Sequence, residues 1–116
     1  MLDTGITPIR VFSNAARFIE AYHRVLQPLC RESGLPPLAV DILMFAANNP
    51  EYATAKNICK YRGMKPSIVS VHVERLVGEG YLQRQEVPGD RRQTLLICTE
   101  RARSLIEHGR DLQKQF

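Results

Sequence analysis

Ser67, Ser70, His72 and Glu74 lie within eight residues of one another, and they are the residue types of a nucleophile, a base and an orienting acid. Acyl transfer needs such side chains in hydrogen-bonded series. On a helix, residues two apart project to different sides, so Ser70, His72 and Glu74 form no relay. The chain has no glycine-rich phosphate loop and no paired-carboxylate constellation, and the reading is a protein that is not an enzyme. Cys30, Cys59 and Cys98 are 29 and 39 residues apart, too far for the close pairs of zinc sites. With His23, His72 and His108 equally scattered, neither a metal nor a cofactor is expected, and the cysteines read as reduced core thiols.

Charge is the more informative chemistry. The net charge of +4 is concentrated between Thr54 and Arg92, where eight basic residues face four acidic ones. The basic set is Lys56, Lys60, Arg62, Lys65, Arg75, Arg84, Arg91 and Arg92, and the rest of the chain is balanced. A local excess of this kind is what neutralising phosphates requires.

The elements that must hold these residues follow from pattern. The 116 residues are expected to form one domain (1–116), which for this size buries about two-thirds of its unfolded surface. Pro8 to about Gly34 reads as an N-terminal helix, capped by Thr7, with Val11, Phe12, Ala15, Phe18, Ile19, Tyr22, Val25, Leu26 and Leu29 on one stripe and a kink at Pro28. That stripe is longer than a small core can cover, and a partner chain is its natural cover. Leu38 to Asn48 reads as a buried helix whose only charge is Asp41, and Glu51 to Ala53 as a brief extended segment. Thr54 caps a helix to about Tyr61. Pro66 starts the next one, with Gly80 in position to stop it and Val69, Val73, Leu76 and Val77 on its inner face. Tyr81–Val87 and Gln93–Cys98 read as strands of a hairpin whose tip is Pro88-Gly89-Asp90-Arg91-Arg92. Thr99 caps a final helix over 99–116, striped by Ala102, Leu105, Ile106, Gly109, Leu112 and Phe116 and expected to pack on the first.

The longest apolar run, Ile42 to Ala47, is too short to cross a bilayer. The N-terminus has no basic-then-apolar signal, so a cytoplasmic protein without membrane contact is expected.

In order and spacing, the segment from Lys65 through Leu82, then Pro88-Gly-Asp-Arg-Arg, then Leu95-Leu-Ile-Cys-Thr-Glu-Arg-Ala, resembles the MarR family of winged helix-turn-helix regulators. The resemblance covers roughly Leu35 to Ile106. It implies a mostly α fold with a small β-hairpin (α+β): a winged helix-turn-helix over 35–98, flanked by N-terminal (8–34) and C-terminal (99–116) helices. It also implies a sequence-specific DNA-binding transcriptional regulator, more often a repressor, working as a homodimer through those flanking helices. The recognition helix, 66–79, would enter the major groove and the wing, 88–92, the minor groove.

Ser67 and Ser70 match groove-facing positions, and Arg75 is a candidate contact one turn further along. Arg92 matches the wing arginine, with Arg91 beside it and Asp90 holding the tip. Thr54, Lys56, Lys60, Arg62 and Lys65 would face the phosphate backbone. Ile68 and Val71 stand where polar or basic readers are common, so apolar contact with thymine methyls takes on more weight. Family members often take a small aromatic effector, for which Phe12, Phe18, Tyr22 and Phe45 are candidate lining. The alternative to DNA binding is a winged-helix module that docks protein through its hairpin edge or first-helix stripe.

Overall fold

The computed structural model describes residues 8–116, less the side chains of 8–12 and 91, so Thr7 lies outside the described residues. The order is α1 (Pro8–Val25), α2 (Gln27–Ser33), α3 (Pro37–Asn48), α4 (Ala55–Arg62), α5 (Pro66–Gly78), β1 (Leu82–Val87) and β2 (Asp90–Cys98). A short 3-10 turn (Glu100–Ala102) then leads into α6 (Arg103–Lys114). A helix apolar on nearly every side must sit in the middle of its domain. Helix α3 does so, burying Ala39, Val40, Asp41, Ile42, Leu43, Met44 and Ala46 and touching α1, α2, α5, α6 and β2.

The interruption expected near Pro28 divides the N-terminal segment into two helices. Pro28 has no N–H to donate and its ring crowds the carbonyl four residues back. The chain therefore breaks at Leu26, and Pro28 falls in the first turn of α2. Gly34 ends α2 at φ 76°, donating its N–H to the Cys30 carbonyl. Helix α5 starts at Pro66 as expected, and Gly80, at φ 83°, turns the chain so that Tyr81 N–H reaches the Leu76 carbonyl.

Three local expectations need correction. Glu51–Ala53 is not extended: the chain turns there, and the bridge to the hairpin comes one residue later, at Thr54 opposite Leu95. Thr99 occupies the cap position of the 3-10 turn, but its hydroxyl donates to the Gly80 carbonyl at 2.5 Å instead of capping. The hairpin turn is only Pro88-Gly89, with Gly89 at φ 82°, so Asp90 to Arg92 already belong to β2.

The hairpin pairs regularly from Leu82 opposite Cys98 to Glu86 opposite Thr94, and then Val87 opposes Asp90. Residues 91–93 have no counterpart on β1, and they bulge from the ladder at the tip.

Helix α6 packs on α2 and α3, burying Leu105, Ile106 and Gly109. It meets α1 at its end, where Gln113 donates to the Tyr22 hydroxyl at 2.7 Å and the Phe116 ring lies 4.9 Å from that of Phe18. Gly109 lets these layers close: a Cβ built there stands 2.5 Å from Met44 Sδ and 2.9 Å from Leu29 Cδ1. Both neighbours are fully buried, so any shift of either side chain must be taken up within the packed core. Gly109→Ala gains helix propensity, yet overpacking outweighs it, and a net loss of about 1–3 kcal/mol is expected. Urea unfolding with an unchanged m-value checks it.

Candidate nucleic-acid interface

Helix α4, the turn at Gly63 and helix α5 form a helix-turn-helix. The Thr54 hydroxyl accepts from Asn57 N–H at 3.2 Å and starts α4. Gly63, at φ 65°, provides the left-handed turn that a side chain would strain. Lys65, extended before Pro66, aims α5 across α4. Val69, Val73 and Leu76 anchor α5 in the core, which leaves Ser67, Ile68, Ser70 and Val71 exposed.

The basic residues divide into two groups. Lys56, Lys60, Lys65 and Arg92 are exposed, and among the described residues none of them pairs with an acid. Lys60 Nζ lies 5.1 Å from the Tyr61 ring centre. Asp90 does hold the wing tip, accepting the Arg92 backbone N–H at 2.9 Å. Of Arg91 only the backbone is described.

The other group is committed within the fold. Arg62 makes a two-pronged bond to Asp41, at 2.9 and 2.8 Å, and His23 Nε2 reaches the same carboxylate at 2.9 Å. Asp41 is 2% exposed. Its hydrogen bonds and charge hold the Arg62 guanidinium above its ordinary pKa against the opposing effect of burial. Arg75 bonds Glu79 at 2.6 Å and the Gly34 carbonyl at 2.9 Å. Arg84 bonds Glu74 at 2.9 Å, tying β1 to α5. Thr54 is 7% exposed and engaged as a cap. Arg62, Arg75 and Thr54 thus each have partners within the fold, and Gln93 is exposed on the bulge beside Arg92.

His72 is half-buried with Nδ1 unpartnered, and burial, with Arg75 nearby, pushes its pKa below the ordinary 6.5. A depressed folded value means that the unfolded chain takes up the proton first. The stability present above 6.5 is therefore lost as pH falls through the lowered value. His72→Gln is expected to lose less melting temperature between pH 7 and pH 5 than the parent, read by circular dichroism.

Crevices lie behind the helix-turn-helix. Phe45, Asn49, Tyr52 and Tyr61 line one of about 340 Å³, with the Phe45 and Tyr61 rings stacked at 6.4 Å. Tyr22, Asp41, Phe45, Arg62 and Gln113 border another of about 160 Å³. Of the candidate effector residues, Tyr22 and Phe45 reach these spaces, Phe18 lies on the outer surface, and the Phe12 side chain is outside the described residues. Cys30, Cys59 and Cys98 are free and half-buried, and burial pushes the Cys30 and Cys98 thiols up. No helix among the described residues is long and apolar enough to cross a membrane.

A helix-turn-helix with a two-stranded hairpin behind it defines a winged helix-turn-helix protein. The sequence model of the MarR family matches residues 33–93, more than half of the chain, and the protein belongs to the MarR family of transcriptional regulators. Solved structures share the fold. A transcriptional regulator from Thermotoga maritima is 25% identical, with a TM-score of 0.64 over 92% of this chain and 72% of that one. Sco3205 of Streptomyces coelicolor, a MarR family regulator solved in complex with DNA, is 24% identical, with a TM-score of 0.66 over 91% and 68%. CouR of Rhodococcus jostii, solved with p-coumaroyl-CoA, is 22% identical, with a TM-score of 0.70 over 86% and 70%. A search of curated protein sequences finds no match.

Proposed function

We propose that the protein is a homodimeric, sequence-specific DNA-binding repressor of the cytoplasm, which places α5 in the major groove and the wing tip in the adjacent minor groove. The observation that carries this reading is the division of the cations. Lys56, Lys60, Lys65 and Arg92 are exposed and pair with no acid among the described residues, while Arg62, Arg75 and Arg84 each pair with an acid of the fold. The lysines contact phosphates and fix register, and Arg92 on the bulge reaches the minor groove, where a narrow, electronegative channel favours a guanidinium. Ser67 and Ser70 sit where hydroxyls meet phosphate or base edges.

The Phe45–Tyr61 crevice suits a small aromatic effector, whose entry would move α3 relative to α4. CouR, solved with p-coumaroyl-CoA, supports this by analogy.

A mobility shift with the DNA upstream of the protein's own gene tests the reading. Binding should weaken steeply with salt, and Lys60→Ala should flatten the log–log slope by about one per subunit. Absence of binding to any genomic fragment at low salt overturns it.

A further inference from the structure

The exposed face of α5 over its first two turns consists of Ser67, Ile68, Ser70 and Val71. Val71 is 65% exposed and Ile68 38%. Both are β-branched, which makes them poor helix formers, and both show apolar surface to water. A face that was merely solvated would have no need of them.

Of the polar side chains beyond that face, Arg75 is paired with Glu79 and the Gly34 carbonyl, Glu74 is paired with Arg84, and His72 is half-buried without a partner at Nδ1. Helix α5 therefore presents no arginine fork for guanine and has no asparagine or glutamine for adenine. Serine hydroxyls accept either kind of base edge. Branched methyl groups match one feature of the major groove, the C5-methyl of thymine.

Resting on the DNA-binding reading above, we propose that Val71 and Ile68 are specificity residues that read thymine methyl groups. Three residues apart on one helix face, their Cβ atoms stand about 5–6 Å apart. Base pairs rise about 3.4 Å each, so each half-site carries two thymines one or two base pairs apart, and no arginine of α5 selects a guanine.

The test begins by selecting duplexes from a random pool with the full chain. Each thymine of a recovered site is then replaced by deoxyuridine, which removes only the methyl group. The parent protein is expected to lose roughly three- to fivefold in affinity at each of two positions per half-site, the worth of one buried methyl-sized group. In Val71→Ala the penalty shrinks at one of these positions, and in Ile68→Ala at the other, with the salt slope unchanged in both. Duplexes that bind tightly yet tolerate deoxyuridine everywhere overturn the inference and leave DNA binding standing. A selected guanine whose contribution disappears in Arg75→Ala does the same. Failure to recover any duplex at low salt overturns the DNA-binding reading, and this inference with it.

Discussion

Arg62→Ala is expected to destabilise the protein by about 3–5 kcal/mol, the cost of leaving a buried carboxylate without its cation. Asp41 is 2% exposed in the middle of α3, and Arg62 satisfies both of its oxygens. Once the guanidinium is gone, His23 is the remaining described partner, and it reaches only one oxygen. For a chain of this size each kcal/mol corresponds to roughly 3–6 °C of melting temperature, so a fall of about 10–30 °C should appear in a calorimetric scan.

The paired replacement separates a stranded charge from lost packing. Asp41→Leu combined with Arg62→Met removes both charges, and apolar substitutes for a buried ion pair are often neutral or stabilising. The double variant should therefore recover most of the loss. A single variant within about 1 kcal/mol of the parent would show that water reaches Asp41. The cluster joins the end of α1 (His23), the centre of α3 (Asp41) and the end of α4 (Arg62), so it fixes the helix-turn-helix relative to the N-terminal helix.

What pattern reading could and could not reach divides by range. The start of α5 at Pro66 and its stop near Gly80 follow from backbone chemistry within a few residues, and the structure has both. Thr54 as a helix cap is equally local. The fate of Arg62 was not accessible in the same way, because its partner lies 21 positions away, and in sequence Arg62 looks like any other member of a basic cluster. One signal did exist: a lone acid, Asp41, inside an apolar helix must find a cation. Arg75 is the harder case, since one of its acceptors is a backbone carbonyl 41 positions distant, which leaves no trace in residue type. The wing shows the same limit. Gly89 marks the turn, but the extra residues 91–93 appear only when the two strands are set in register.

Phe18→Glu is expected to convert the proposed homodimer into a monomer and to weaken operator binding by orders of magnitude. Phe18 is 61% exposed, Ile19 37% and Phe116 47%. The rings of Phe18, in the middle of α1, and Phe116, just past α6, meet edge to face at 4.9 Å. These exposed rings are where the proposed homodimer would bury apolar surface. In a two-fold interface each residue counts twice. Fully burying a phenylalanine is worth about 1.5–3 kcal/mol, and with 61% of Phe18 still exposed its loss from both subunits raises the dissociation constant about 20- to 400-fold, before any penalty for burying the new carboxylates. Because Phe18 lies at the surface, the variant should keep the parent's helical circular dichroism, which separates dissociation from unfolding. Light scattering at micromolar concentration should then give the mass of one chain where the parent gives two. Operator binding should fall with it, since a monomer engages one half-site and loses the gain from tethering the second. A Phe18→Glu protein that remains dimeric at that concentration would place the dimer contact elsewhere on the molecule.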